Sequence, residues 1–187
     1  GESSTDYWGL GLPNPELITL FGDGDIRRET TLSFEGDTSW IEIKGGVRAK
    51  PSFSHSVTKT YQKKWECSAE EYIDHSSDWT HAPSNVKLIR YSDVYLMAAE
   101  AALMLGDNAK ALNYINKVRE RARMCGTSGL PAALTSVSLN DIILERRLEF
   151  AGEGHRMFDI VRWNIAADLL KQTYDGTPIE YVRGKHE

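Results

Sequence analysis

The sequence predicts a mainly α-helical protein, in which tetratricopeptide-like helical hairpins carry a loop-rich region and short β-hairpins. Three observations predict it. Apolar residues recur at helical spacing from about residue 86 to residue 171. The first two helical stretches place small and large residues where closely packed hairpins need them. Residues 1–84, by contrast, are polar, aromatic and rich in Gly, Ser and Thr, with no sustained helical period.

The elements follow in order. Pro13 and Pro15 flank Asn14, and Glu16 to Phe21 reads as one or two helical turns. Gly22 to Asp25 reads as a tight turn. A calcium loop would need further oxygen ligands at alternating positions, and Ile26, Arg27 and Arg28 stand there instead. Thr30 to Phe34 reads as a short strand. Ser39 to Lys44 alternates and runs into Gly45, Gly46 and Val47, the pattern of a short hairpin.

The first long helix has its apolar stripe at Tyr91, Tyr95, Ala98, Ala102 and Leu105 and stops at Gly106. Asp107 or Asn108 caps the next helix, whose stripe is Ala111 or Leu112, Ile115, Val118 and Ala122. The short connection makes the pair antiparallel. Ala99, Ala102, Gly106, Ala111, Ile115 and Val118 fall at tetratricopeptide offsets. One such repeat cannot bury its own apolar face, so further repeats or the last two helices must cover it. Residues 124–137 read as a loop. Ser138 and Asp141 form a capping box that opens a third helix, running to about Phe150. The fourth helix spans His155 to Lys171, with Phe158, Val161, Ile165 and Leu169 facing a core. The expectation is one domain overall, a piece of a larger protein: an irregular region 1–84 packed on helices 85–171, then a tail 172–187.

Composition limits the function. The chain has 187 residues and a formal net charge of −5, which argues against nucleic acid, whose binding rests on Lys and Arg contacts to phosphate. No apolar run reaches the roughly 18 residues of a membrane span. The five His residues form no ligand-like cluster, so no metal is expected, and no motif for a cofactor is present. Cys67 and Cys125 are two free buried thiols, or a disulfide if the protein is exported.

The densest chemistry lies in residues 144–163, which hold four Arg, three Glu and one Asp on an apolar framework. Such a helix is largely buried, and buried charge must be paired. Glu145 and Glu149 share a helix face and repel each other. Arg146 and Arg147 point elsewhere. The expected structural ion-pair network therefore joins Glu145 and Glu149 to Arg156 and Arg162, with Arg119, Arg121 and Arg123 as the other candidates. A glycosidase pair of Glu145 and Glu149 is the catalytic alternative, and it lacks substrate access on a buried, Arg-rich helix. Aromatics are the remaining lead. Tyr7, Trp8, Trp40 and Trp79 lie in the irregular half, where they either stack on sugar rings or anchor loops.

Three motifs then carry a resemblance. Leu88 to Ala101 (LIRYSDVYLMAAEA), Asn113 to Ala122 (NYINKVRERA) and Glu145 to Trp163 (ERRLEFAGEGHRMFDIVRW) are similar, in order and spacing, to the helices of the SusD/RagB family. Asp25 to Arg27 resembles that family's D-x-R element. The likeness runs from about Pro15 to Leu170 and matches the family's C-terminal portion. It implies a tetratricopeptide-like platform with a loop-rich binding face and no enzymatic activity. It further implies an outward-facing protein of the Bacteroidetes outer membrane, lipid-anchored through a more N-terminal part. Its partners would be an oligosaccharide or polysaccharide and a TonB-dependent, SusC-like transporter. The expected ligand-binding residues are Tyr7, Trp8, Trp40 and Trp79. The alternative is a tetratricopeptide-like protein-interaction scaffold, which an aromatic groove along Tyr91, Tyr95 and Tyr114 would favour.

Overall fold

The computed structural model describes residues 5–6, 12–37, 41–43, 47–49, 51–52, 56, 58–64, 87–169, 173–174 and 177–178. The chain divides into two compact units, Gly1–Gly152 and Glu153–Glu187. The change of composition near residue 85 falls inside the first.

In the first unit the described elements are β1 (Thr5–Asp6), α1 (Pro15–Leu20), α2 (Ile26–Thr31), β2 (Leu32–Phe34), β3 (Ile41–Ile43), β4 (Val47–Ala49), β5 (Pro51–Ser52), β6 (Thr60–Gln62), α3 (Tyr91–Met104), α4 (Asn108–Cys125) and α5 (Leu139–Glu149). The second unit holds α6 (Arg156–Arg162), α7 (Ala166–Leu169), β7 (Thr173–Tyr174) and β8 (Thr177–Pro178). The described strands form two-stranded ladders only. β1 runs parallel to β5, while β2–β6, β3–β4 and β7–β8 are antiparallel. Ile41 stands opposite Ala49 and Ile43 opposite Val47, in the hairpin the alternating pattern predicts.

Local chemistry sets the helix starts. The Asn14 side chain accepts from the backbone N–H of Glu16, and Pro15 opens α1 where its missing N–H is harmless. Asp25 caps α2 by accepting from the Arg27 N–H at 3.0 Å. That cap turns residues 26–31 into helix, where the β-branched Thr30 and Thr31 pointed to a strand. The strand begins only at Leu32. Asp107 caps α4, and Ser138 with Asp141 forms the complete capping box of α5.

Helices α3 and α4 make the antiparallel hairpin. Its core is Leu96, Ala99, Ile115 and Val118, closed by Ile142 of α5 and Phe150. The stripe of α4 is the one the sequence predicts: Ala111, Ile115, Val118 and Ala122 are buried. The stripe of α3 is not. Ser92, Asp93, Leu96, Ala99 and Ala102 face inward, while Tyr91 and Leu105 are exposed. Helix α3 is apolar on both sides, so periodicity could not choose the buried one. A second cluster of Phe21, Leu32, Leu148 and Ala151 fastens α1 and β2 to α5.

Two expectations for the C-terminal helix are corrected. The helix is not continuous: α6 ends at Arg162, and Asn164 adopts a left-handed φ of 54°, a conformation Asn tolerates better than most residues. Phe158 and Val161 are exposed rather than core-facing, and Asp159 is the buried residue of α6. Cys125 is likewise an exposed free thiol, where a buried one was expected. Cys67 lies outside the described residues.

Ile115→Ala is expected to lower unfolding free energy by about 2–5 kcal/mol, because it opens a cavity where the hairpin closes. Met104→Ala, on the exposed side of α3, is expected to stay within about 0.5 kcal/mol. Urea unfolding followed by circular dichroism reads both. Equal losses would contradict the burial of Ile115 and the exposure of Met104.

Candidate functional site

The most highly organised chemistry of the chain is a buried cluster of carboxylates and guanidinium groups in the first unit. It is built outward from α5. Glu145 and Glu149 occupy one face of that helix and are 1% and 4% exposed. Two like charges so placed repel, and each loses its hydration on burial. Cations from three other elements offset both effects.

Arg27, on α2, is the first. Asp25 holds its guanidinium in a fork, with Nε donating at 3.0 Å and Nη2 at 2.7 Å. The fork fixes the plane of the group and leaves Nη1 aimed at α5. There Nη1 donates to Glu145 Oε1 and, at 3.5 Å, to Glu149 Oε2. Burial by itself pushes the Arg27 guanidinium down. Its hydrogen bonds and attraction to Asp25 and Glu145 outweigh that and hold it above its ordinary value. A raised folded value stabilises the charged form at every pH below the ordinary arginine range, so Arg27 keeps its charge until strong alkali.

Arg119, on α4, is the second. Its Nη1 donates to Glu145 Oε2 at 2.6 Å, and its Nε to the carbonyl of Ala132 at 2.8 Å. Neighbours on the same face of α4 do similar work. Asn116 exchanges two hydrogen bonds with the backbone of Leu134, and Arg123 donates to the carbonyl of Pro131. These contacts pin the loop between α4 and α5 along α4 and so set where α5 begins.

Arg90, just before α3, is the third. Its Nη1 donates to Glu149 Oε1 at 2.8 Å and its Nη2 to the Glu149 carbonyl at 3.0 Å. Lys64 Nζ donates to that same carbonyl. Cations at the last carbonyls of a helix satisfy otherwise orphaned acceptors and complement the helix dipole. Arg90 and Arg146 both lie over the ring of Phe150, at 4.9 and 5.0 Å. Arg146 also donates to Asp93 at 2.7 Å, which explains the buried acid on α3. At the rim, Arg147 grips Glu16 through two hydrogen bonds. Next to the cluster, Gly152 has φ 79°, and a Cβ there would lie 2.5 Å from the Gln62 side chain. Only glycine suits the spot.

Three carboxylates (Asp25, Glu145, Glu149) thus meet three guanidinium groups (Arg27, Arg90, Arg119). The acids are held by arginines and sealed from solvent, so Glu145 and Glu149 cannot approach a glycosidic bond.

Glu145 and Glu149 sit together at the centre. Of the candidate partners, Arg119 is engaged, and Arg121 approaches Glu149 at 3.6 Å from an exposed position. Arg162 instead pairs with Asp159 of its own helix at 2.8 Å, in the second unit, where Arg156 begins α6. Arg27, Arg90 and Lys64 were missed. The Asp-x-Arg spacing of Asp25 and Arg27 was the available signal, since an N-cap acid two residues before an arginine can pair with it. Tyr7, Trp8, Trp40 and Trp79 lie outside the described residues. Tyr91 meets Tyr95 edge to face and Tyr95 meets Tyr114 at a tilt, with centroids 5.0 and 6.1 Å apart. Only Tyr91 is exposed; Tyr95 and Tyr114 pack against the core.

The arrangement defines a mainly helical scaffold with a sealed charged centre. The chain belongs to the SusD family, whose model matches residues 8–186. It is 40% identical over 145 residues to a SusD-like protein of Bacteroides ovatus, covering 74% of this chain and 24% of that protein. A solved laminarin-binding SusD-like protein is 28% identical, with a TM-score of 0.62 over 97% of this chain and 37% of the other. A SusD-like protein of Bacteroides fragilis is 25% identical, with a TM-score of 0.62 over 84% of this chain and 36% of the other. The chain therefore spans about a quarter of that curated relative and little more than a third of each of these solved ones.

Glu149→Ala is expected to destabilise the protein by about 3–5 kcal/mol, because it leaves Arg90 and Arg27 short of a buried counter-charge. Arg121→Ala, at an exposed site, is expected to change stability by less than about 0.5 kcal/mol. Chemical unfolding of both variants checks the pair. A Glu149→Ala protein that melts within a degree or two of the parent would contradict the network.

Proposed function

We propose that this chain is part of a nutrient-binding protein on the bacterial surface. In this reading it binds an oligosaccharide or polysaccharide and delivers it to a TonB-dependent, SusC-like transporter. The observation that carries the reading is the likeness to the laminarin-binding SusD-like protein, which extends over 97% of this chain. Family membership supports it, and the burial of Glu145 and Glu149 keeps that pair from a substrate. The full-length polypeptide would sit on the outer face of the outer membrane through a lipid anchor outside these residues. Tyr7, Trp8, Trp40 and Trp79 are the side chains proposed to stack on sugar rings. Aromatic faces suit pyranose C–H surfaces, and loops on a rigid helical platform are where binding residues gather.

Calorimetric titration with a panel of oligosaccharides, laminarin fragments first, tests the reading, with tryptophan fluorescence followed in parallel. Saturable binding is expected, weakened at least about tenfold in Trp8→Ala or Trp79→Ala, a loss of one aromatic–sugar stack. Binding unchanged in Trp8→Ala, Trp40→Ala and Trp79→Ala would reject those residues. No binding by the folded chain would put the sugar site elsewhere in the full-length protein. The oligosaccharide is expected to remain intact on long incubation. A shortened product that disappears in folded Glu149→Gln would make the protein a hydrolase.

A further inference from the structure

The charge of this chain is unevenly spread. Residues 1–84 carry 14 Asp and Glu against 8 Lys and Arg, a formal net charge of −6, while residues 85–187 carry 13 against 14. The imbalance is steepest in residues 65–86, which hold five acids (Glu66, Glu70, Glu71, Asp74, Asp78) and no Lys or Arg. Two of the cations that flank this stretch are engaged on the helical platform. Lys64 donates to the Glu149 carbonyl, and Arg90 donates to that carbonyl and to the Glu149 carboxylate. Nearer the N-terminus, Arg27 is engaged in the buried cluster.

The same sign stands beside every aromatic side chain proposed to stack on sugar. Asp6 precedes Tyr7 and Trp8, Asp37 and Glu42 bracket Trp40 within three residues, and Asp78 precedes Trp79. No Lys or Arg lies within three residues of any of the four. Three residues span at most about 11 Å between α-carbons, however the backbone runs. A charge acts over roughly 10 Å at about 0.1 M salt. Chain connectivity alone therefore keeps a carboxylate within range of each aromatic.

What such acids select follows from hydrogen-bond chemistry. A carboxylate only accepts hydrogen bonds, and sugar hydroxyls donate them. A sulfate ester or a uronate carboxylate offers acceptors alone, so beside these acids it meets repulsion with no compensating bond. Sites that take such groups place Arg or Lys against the anion. We propose that the glycan taken by this protein is uncharged, and that the acids beside Tyr7, Trp8, Trp40 and Trp79 turn away sulfated and uronate-bearing chains. The inference rests on the sugar-binding reading given above and adds the selectivity of that site.

Calorimetry on the full-length protein tests it. The ligands are a panel of neutral oligosaccharides and, for each, the same chain with its primary alcohols oxidised to carboxylates. At about 0.02 M salt, where charges act over roughly 20 Å, the oxidised form is expected to bind at least about tenfold more weakly than its neutral parent. At about 0.5 M salt that deficit is expected to shrink several-fold, while the neutral affinity holds. In the triple variant Asp6→Asn, Glu42→Gln, Asp78→Asn it is expected to shrink at low salt as well, because the amides keep an acceptor and lose the charge. Equal or tighter binding of an oxidised form at low salt would overturn the proposal and leave the sugar-binding reading standing. A deficit unchanged by salt and by the triple variant would overturn it too, since shape rather than charge would then exclude the anion. Binding of no ligand in the panel, neutral or oxidised, would overturn the sugar-binding reading itself, and this inference with it.

Discussion

Two carboxylates on one buried face of α5 are the constraint on which the rest of this structure depends. Glu145 and Glu149 cannot be dehydrated side by side unless cations reach them, and neighbouring positions on their own helix cannot supply those cations. The chain must therefore bring α2, the residues before α3, and α4 to the same spot. The contacts that result close loops of 118, 59 and 26 residues, through Arg27, Arg90 and Arg119 respectively. Apolar packing of the same volume would bring the helices together without dictating which guanidinium meets which oxygen. The forked, directional contacts of Arg27 and Arg90 dictate it.

The same cluster organises what leaves the helical platform. Lys64 and Arg90 donate to a single atom, the carbonyl oxygen of Glu149. The two ends of the intervening sequence are thus fixed at one point, and Trp79 lies in that sequence. On the other side, Asp25 and Arg27 tie the N-terminal stretch to α5, where Leu32 and Phe21 pack on Leu148 and Ala151. The buried cluster fixes the points from which these segments depart.

Much of this fold was legible because local chemistry and tertiary demand agree. The stripe of Ala111, Ile115, Val118 and Ala122 is apolar on one side only, so its period named the buried face. The Ser138 and Asp141 box named a helix start that the structure keeps. Where the two levels diverge, the sequence misled. Helix α3 is apolar on both sides, and nothing in its period says that Leu96 is buried while Tyr91 and Leu105 are exposed. Thr30 and Thr31 favour a strand, yet the Asp25 cap overrides them. Phe158 and Val161 have the spacing of a core stripe and are exposed. The need for buried counter-ions was readable from Glu145 and Glu149. The spacing of Asp25 and Arg27 hinted at their own pairing, but that Arg27 and Arg90 reach Glu145 and Glu149 was not readable, because only the tertiary fold brings those positions near. The aromatic residues chosen for sugar binding lie outside the described part of the chain, so composition and family likeness are their whole support.

The most direct test of this account is a double-mutant cycle on Arg27 and Glu145. Arg27→Met, Glu145→Leu and the double variant would be unfolded in urea alongside the parent. If the buried pair is mutually dependent, each single change strands a charge and the double change strands fewer. A coupling energy of at least about 1.5 kcal/mol is then expected, with the double variant well short of the summed losses. Losses that add to within about 0.5 kcal/mol would contradict it, because the two side chains would then contribute independently.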